Sequence, residues 1–128
     1  VLAYPFPAAS FDAVVGVSSI EHIGLGHYNH DPEDHDGDVR CMRRVVQWLK
    51  PGGWVYADVP YGPTYRVEGT SHRVYNDEAI AARLMVFGLT ERRRWYTTWG
   101  DGDYVLHDRP AMHADRFVYV ALLAMKEP

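Results

Sequence analysis

Between positions 20 and 38 the chain reads IEHIGLGHYNHDPEDHDGD, which gathers His22, His27, His30 and His35 among six carboxylates. Imidazole titrates nearest to neutrality, so a histidine beside a carboxylate can move a proton or, when neutral, bind a metal. Glu21-His22 is the adjacent pair of that kind, and His72 is a second imidazole placed for proton transfer. His27-x2-His30-x4-His35, with Asp31, Glu33, Asp34 and Asp36 close by, offers nitrogen and oxygen donors suited to zinc or another transition metal. No His-x3-His repeat sets two of these rings on one helical face, so the segment reads better as a polar loop, and no metal ligand is assigned. Gly24-Leu25-Gly26 invites a phosphate-loop reading. Asn29, however, stands where a Gly-x-Gly-x-x-Gly pattern needs its third glycine, so a turn is the expectation.

The elements that must position these residues follow from periodicity. FDAVVGVSSI, residues 11–20, is a short valine-rich run without alternation, as in a strand buried on both faces of a parallel sheet. Over residues 39–49, Val39, Met42, Val45, Val46 and Leu49 recur at helical spacing, with Arg40, Arg43, Arg44 and Gln47 on the other face. Asp36 or Asp38 is the expected N-cap, and KPGG at 50–53 ends the helix. WVYADVP, residues 54–60, reads as a second buried strand. Strand, helix and strand in this order imply a parallel pair joined by a right-handed crossover. A loop over 61–70 is expected next, then a helix capped by Asn76 or Asp77 and running to about Val86, with Ile80, Leu84 and Phe87 at helical spacing and Gly88 closing it. Strands over about 90–98 and 116–125 complete the reading, with 100–115 as a polar connection in which Gly100-Asp-Gly102 is a turn.

Two segments leave the carboxyl ends of predicted strands: Ser18-Ser19-Ile20-Glu21-His22 and Pro60-Tyr61-Gly62-Pro63. Open α/β sheets bind ligands at those ends, so both lie on the ligand side. His27, Asp31, Tyr61 and Arg73 are candidate acceptor contacts, since they fall in or after these segments. A guanidinium such as Arg73 can hold a carboxylate or phosphate through two hydrogen bonds. Against that stands a plain packing role for Arg73 and Tyr75 at the sheet's end.

Composition sets the outer bounds. The 128 residues are 47% apolar and 23% charged with a net charge of −4, as expected of one small domain without an electrostatic footprint for nucleic acid. A single cysteine, Cys41, allows no internal disulfide. The longest apolar run, residues 117–125, is too short to span a bilayer, and no signal peptide is visible, so a cytoplasmic location is expected.

The ordered set PFPAASFDAVVGVSSIEHI, then VVQWLKPGGWVYADVP, resembles the C-terminal half of class I S-adenosylmethionine-dependent methyltransferases. Those enzymes show a Pro-Phe-Pro loop, Phe-Asp opening the fourth strand, Glu-His at its end, and Leu-Lys-Pro-Gly-Gly before the fifth. More narrowly, EHIGLG with the later HRVYN is similar to a poorly characterised methyltransferase-like branch. The resemblance implies a partial Rossmann-like α/β domain over residues 1–128, mainly parallel, with an antiparallel strand near the C-terminus. It implies S-adenosylmethionine as cofactor, Tyr4-Pro5-Phe6 near the adenine, and Ser18, Ser19, Glu21 and His22 along the methionine side. The family's glycine-rich cofactor loop is missing. With Val1 in place of an initiator methionine, that leads us to expect a fragment whose first half lies upstream, inactive alone, with an open sheet edge that could pair in a dimer. The acceptor, whether small metabolite, sugar or lipid head group, is unreadable. Two other classes stay open: a non-catalytic domain of this fold that binds a partner, and a metal-dependent hydrolase built on the histidine-rich loop.

Overall fold

The computed structural model describes residues 4–27, 33–100, 102–109 and 117–128. β1 (Phe11–Val17) leads through a single 3-10 turn, Ile20–His22, towards helix α1 (Gly37–Trp48), and β2 (Leu49–Pro60) follows directly. A small hairpin, β3 (Arg66–Glu68) and β4 (His72–Val74), precedes a short helix α2 (Asp77–Ala79), which widens into a π-helical turn at Ile80–Leu84. β5 (Leu89–Gly100), β6 (Asp103–His107) and β7 (Phe117–Lys126) complete the main sheet.

The sheet order is β1-β2-β7-β5-β6. β1 and β2 pair in parallel, Ala13 opposite Trp54 and Val17 opposite Asp58, with a register shift between Phe11 and Ala13. β7 enters antiparallel between β2 and β5, and β6 is antiparallel to β5. β1, β2 and β5 therefore run the same way, while β7 and β6 run against them. The expectation of a mainly parallel sheet needs this correction: the fold is mixed α/β, and inserting β7 leaves β1–β2 as the one parallel ladder among the described strands.

α1 packs one apolar face on the sheet. Cys41, Met42, Val45 and Trp48 bury against Val55, Ala57, Val59, Ile80, Leu84, Val120 and Leu122, while Arg40, Arg43 and Gln47 stay exposed. The stripe is rotated slightly from the predicted one, since Val39 and Val46 are only partly buried. The predicted helix after Asn76 forms, and the Asn76 side chain caps it by accepting from the Ala79 N–H. It ends sooner than expected, at Leu84, where the Met85 N–H reaches back five residues to the Ile80 carbonyl. Phe87, at helical spacing from Ile80 and Leu84 in the sequence, lies beyond the helix and is fully exposed.

Along β2, Val55, Ala57 and Val59 face α1, so Trp54, Tyr56 and Asp58 face the opposite side of the sheet. Val15, 59% exposed, Val17, 63% exposed, and Trp54, 41% exposed, share that opposite face, which no described helix covers.

Candidate functional site

At the carboxyl end of β1 the backbone turns sharply. Ser18 adopts φ 42°, a left-handed conformation rare for a residue other than glycine, and cases of this kind concentrate at functional sites. The turn is tied to β2: the Ser18 N–H donates to Oδ1 of Asp58 at 2.7 Å, and Tyr56 OH donates to Oδ2 of the same side chain at 3.1 Å. Ser18 Oγ donates to Oε1 of Glu21 at 2.8 Å. Glu21 is 1% exposed, and its other oxygen, Oε2, has no hydrogen-bond partner among the described residues. Burial pushes its carboxyl above the ordinary carboxylate range, although the Ser18 hydrogen bond and nearby His22 pull the other way.

β4 and the residue before it hold the turn from the other side. The Ser71 carbonyl accepts from Nδ1 of His22. His72 presents its ring 6.3 Å from that of His22, with its own Nδ1 2.9 Å from Ser71 Oγ. Arg73 donates from one nitrogen to the carbonyls of Glu21 at 3.3 Å and Ile23 at 2.7 Å, and from another to those of Asp34 at 3.4 Å and His35 at 3.1 Å. His27 stacks on His22 with 4.5 Å between ring centres.

Two glycines let the stems of this loop meet. A Cβ on Gly24 would stand 2.1 Å from the Asp34 carbonyl oxygen, and one on Gly37 would stand 2.6 Å from that of Ile23. The Gly-Leu-Gly is thus a site of backbone-to-backbone contact, closed by the Asp34 N–H to Gly24 carbonyl bond of 2.8 Å. Behind it lies an ion cluster. Asp38, fully buried, accepts from Tyr75 OH at 2.8 Å and from two nitrogens of Arg83, each at 2.8 Å. Arg73 Nε stands 3.6 Å from it. Burial and the neighbouring Asp38 push the Tyr75 hydroxyl far up. Asp36 occupies the N-cap position, as one of the two expected aspartates, though without a side-chain capping bond.

The predicted site residues therefore separate. Ser18, Ser19, Glu21, His22, His27 and His72 come together, with Ser18 and His27 exposed, Ser19 and His22 half-buried, and Glu21 enclosed beneath them. Arg73 is fully buried and bonded to four carbonyls, so it positions the loop and cannot reach an acceptor. Tyr61 belongs to a different cluster: its OH donates to Asp77 at 3.1 Å beside Arg94 and Tyr96, and burial pushes it up to about 12. Tyr4-Pro5-Phe6 also lies away from the turn. Phe6 packs edge-on against Phe11, the first residue of β1, and against Trp48, the last of α1, at the amino end of the strand and opposite the ligand end. Asp31 and His30 lie outside the described residues. Among those described, no group of three or more metal-ligating side chains is arranged to hold an ion. Sequence reasoning missed Asp58, and it read Asp38 as a helix cap and not as the centre of the buried ion cluster. An aspartate inside the otherwise apolar WVYADVP was the available signal for the first.

An open depression of about 300 Å³ lies elsewhere, on the outer face of α1, lined by Arg40, Arg43, Arg44 and Gln47. Its walls are one basic helix face without a nucleophile or acid–base pair, so the strand-end cluster is the better candidate.

The profile of the family described as "Caenorhabditis protein of unknown function, DUF268" matches residues 3–103. The chain belongs to the DUF268 family. No curated protein matches it. Among solved structures, a SAM-dependent methyltransferase of Thermotoga maritima aligns with TM-score 0.62 at 14% identity, covering 98% of this chain and 61% of that one. The 1,6-didemethyltoxoflavin-N1-methyltransferase of Burkholderia thailandensis, solved with S-adenosylhomocysteine, aligns with TM-score 0.67 at 15% identity, over 99% and 48%. The 4+2 cyclase SpnF aligns with TM-score 0.62 at 17% identity, over 98% and 54%. This DUF268 chain thus has the fold of class I S-adenosylmethionine-dependent methyltransferases and spans roughly half to three-fifths of the length of these three structures.

Proposed function

We propose that the full-length protein containing this chain is an S-adenosylmethionine-dependent methyltransferase, and that the Ser18–His22 turn forms part of its cofactor and acceptor site. One observation carries the reading: a strained polar turn, with Ser18 at φ 42°, sits at the carboxyl end of a parallel strand in a methyltransferase fold. When bound, S-adenosylmethionine supplies an electrophilic methyl group. The residues present fit its amino-acid end. The exposed Ser18, whose hydroxyl oxygen can still accept while donating to Glu21, and the half-buried Ser19 and His22 offer hydrogen-bonding groups there, and Asp58 anchors the turn from below. The work left to the protein is to orient the acceptor, exclude water and take up a proton where one is released.

The test is calorimetric titration of the full-length gene product with S-adenosylmethionine and S-adenosylhomocysteine. We expect roughly micromolar affinity, about −8 kcal/mol, and much weaker or no binding by the 128-residue chain alone. A full-length protein that binds neither would sink the reading. A second reading has support from the similarity to SpnF, which is a cyclase: this fold alone does not dictate methyl transfer. Cofactor binding without transfer to any acceptor would favour a non-transferring, partner-binding role.

A further inference from the structure

Helix α1 carries its positive charge on one side. Arg40, Arg43, Arg44 and Gln47 stand at positions i, i+3, i+4 and i+7, so they share a face turned away from the buried Cys41 and Met42. In that arrangement Arg43 and Arg44 flank the middle of the face, with Arg40 a turn before them and Gln47 a turn after. The four line the open depression of about 300 Å³, a volume at the lower end of small-ligand sites. No acidic side chain lines it among the described residues. Two of its guanidiniums are also unmatched. Arg40 donates to Asp34 at 2.6 Å, whereas Arg43 and Arg44 have no hydrogen bond or ion pair among the described residues. Other cations of the chain are spent: Lys50 is paired with Asp12, Arg66 with Glu68, and Arg94 with Glu91.

We propose that this depression binds a phosphate ester, its phosphoryl group held between Arg43 and Arg44. Charge and shape carry the assignment. A phosphate ester bears a charge between about −1.5 and −2 at neutral pH, which matches two unpaired guanidiniums, whereas a single carboxylate would leave one of them unmatched. Each guanidinium presents a planar fork that donates two hydrogen bonds to phosphate oxygens. The Gln47 amide adds a further donor at the edge. The face is held in place from behind, because Cys41, Met42, Val45 and Trp48 anchor α1 in the core. From Arg40 to Gln47 the stripe runs about 10 Å along the helix axis. That length suits one phosphoryl group and is too short to follow the backbone of a nucleic acid. The chain's net charge of −4 likewise opposes an extended polyanion.

The site lies on the outer side of α1, apart from the Ser18–His22 turn, and has no nucleophile or acid–base pair, so it holds its ligand without reacting with it. It does not depend on the methyltransferase reading. A phosphate ester reaches such a face either as a free molecule or as a lipid head group, and the same guanidiniums serve both.

The test titrates the full-length protein, carrying isotope-labelled arginine, with glycerol 3-phosphate and follows the guanidinium signals by nuclear magnetic resonance. Wild type is compared with the double variant Arg43→Gln, Arg44→Gln. The control is Arg66→Gln, Arg109→Gln, which removes the same charge from exposed positions elsewhere. We expect one saturable site in wild type, affinity lower by about tenfold or more in the first variant, and little change in the control. Circular dichroism checks that each protein is folded. A second arm sediments the protein with phosphatidylcholine vesicles, with and without phosphatidic acid. Saturable binding of glycerol 3-phosphate without sedimentation supports the site and assigns a free ester. Sedimentation on phosphatidic acid that the first variant alone loses supports it and assigns a lipid head group. No saturable binding by wild type in either arm overturns the proposal, as does equal loss in both variants. Binding of polyglutamate or polyuridylic acid through Arg43 and Arg44, with glycerol 3-phosphate and the vesicles inert, also overturns it. S-adenosylmethionine affinity, measured on the same proteins, decides the methyltransferase reading separately.

Discussion

Glu21 is enclosed with one oxygen unpartnered among the described residues, so the folded state resists its ionisation. Its carboxyl is raised above the ordinary value of 4.5, burial being the largest cause. Between its unfolded and folded titrations the native state holds the extra proton, so stability falls as pH rises through that window. Urea midpoints measured from about pH 4 to pH 8 should therefore decline for wild type relative to Glu21→Gln, which cannot ionise. Parallel profiles would show that Glu21 ionises as easily folded as unfolded. Arg73 makes the opposite kind of contribution, because its guanidinium joins the carbonyls on both stems of the loop. Arg73→Met should cost roughly 3 kcal/mol, since four carbonyls and the buried Asp38 lose donors or countercharge. Arg73→Lys should recover only part of it, because an ammonium lacks the planar fork. Unfolding midpoints of the three proteins check the order. At this scale the sequence revealed residue types better than their directions. Glu21-His22 was legible because it ends a valine run. The inward turn of Arg73 was not, since its partners are backbone carbonyls about forty to fifty residues away in the chain.

The loop that follows β1 depends on two elements meeting without side chains between them. Gly24, at φ 81°, touches the Asp34 backbone, whereas a Cβ on Gly26, at φ 73°, would meet nothing within 4 Å. Gly26→Ala should cost only the left-handed conformation, about 1 kcal/mol. Gly24→Ala adds a collision with a carbonyl and should cost roughly 3 kcal/mol or more. Thermal melts that place the two variants together would show that the close approach carries no energetic weight. Elements with a strong pattern were readable: α1 from its apolar stripe, and β1 and β2 from their apolar runs. β1 is nevertheless not buried on both faces as its run implied, since Val15 and Val17 are exposed. The hairpin β3–β4 was not, because each strand is three residues long and Arg66–Glu68 is wholly exposed, leaving no pattern to detect. β6 was hidden in the same way. Val105 and Leu106 are both exposed, so the strand shows no inward and outward alternation, and only the turn before it was visible. The π-helical turn at Ile80–Leu84 shortens α2 through a backbone bond that the spacing of Ile80 and Leu84 does not report.

On the scale of the whole molecule, the described helices cover the sheet on one side. α1 and the α2 segment bury Val55, Ala57, Val59, Val120 and Leu122, while Val15, Val17 and Trp54 stay open to solvent on the other face. β1 also has β2 as its sole ladder partner among the described strands, so its outer edge presents unpaired backbone groups. An apolar face continuous with an open edge favours association of the chain with itself or with a further layer of structure. The solved structures that share the fold are longer than the portion they share with this chain, which is consistent with such a layer. The 128-residue chain expressed alone should bind a hydrophobic dye and associate with rising concentration. Val15→Thr with Val17→Thr should weaken both effects while leaving the α1 side of the core intact, because both valines point away from it. Light scattering and dye fluorescence across a dilution series check this, with far-ultraviolet circular dichroism as the control for folding. A chain that stays monomeric and dark at high concentration would mean that the open face is closed by some rearrangement of its own residues.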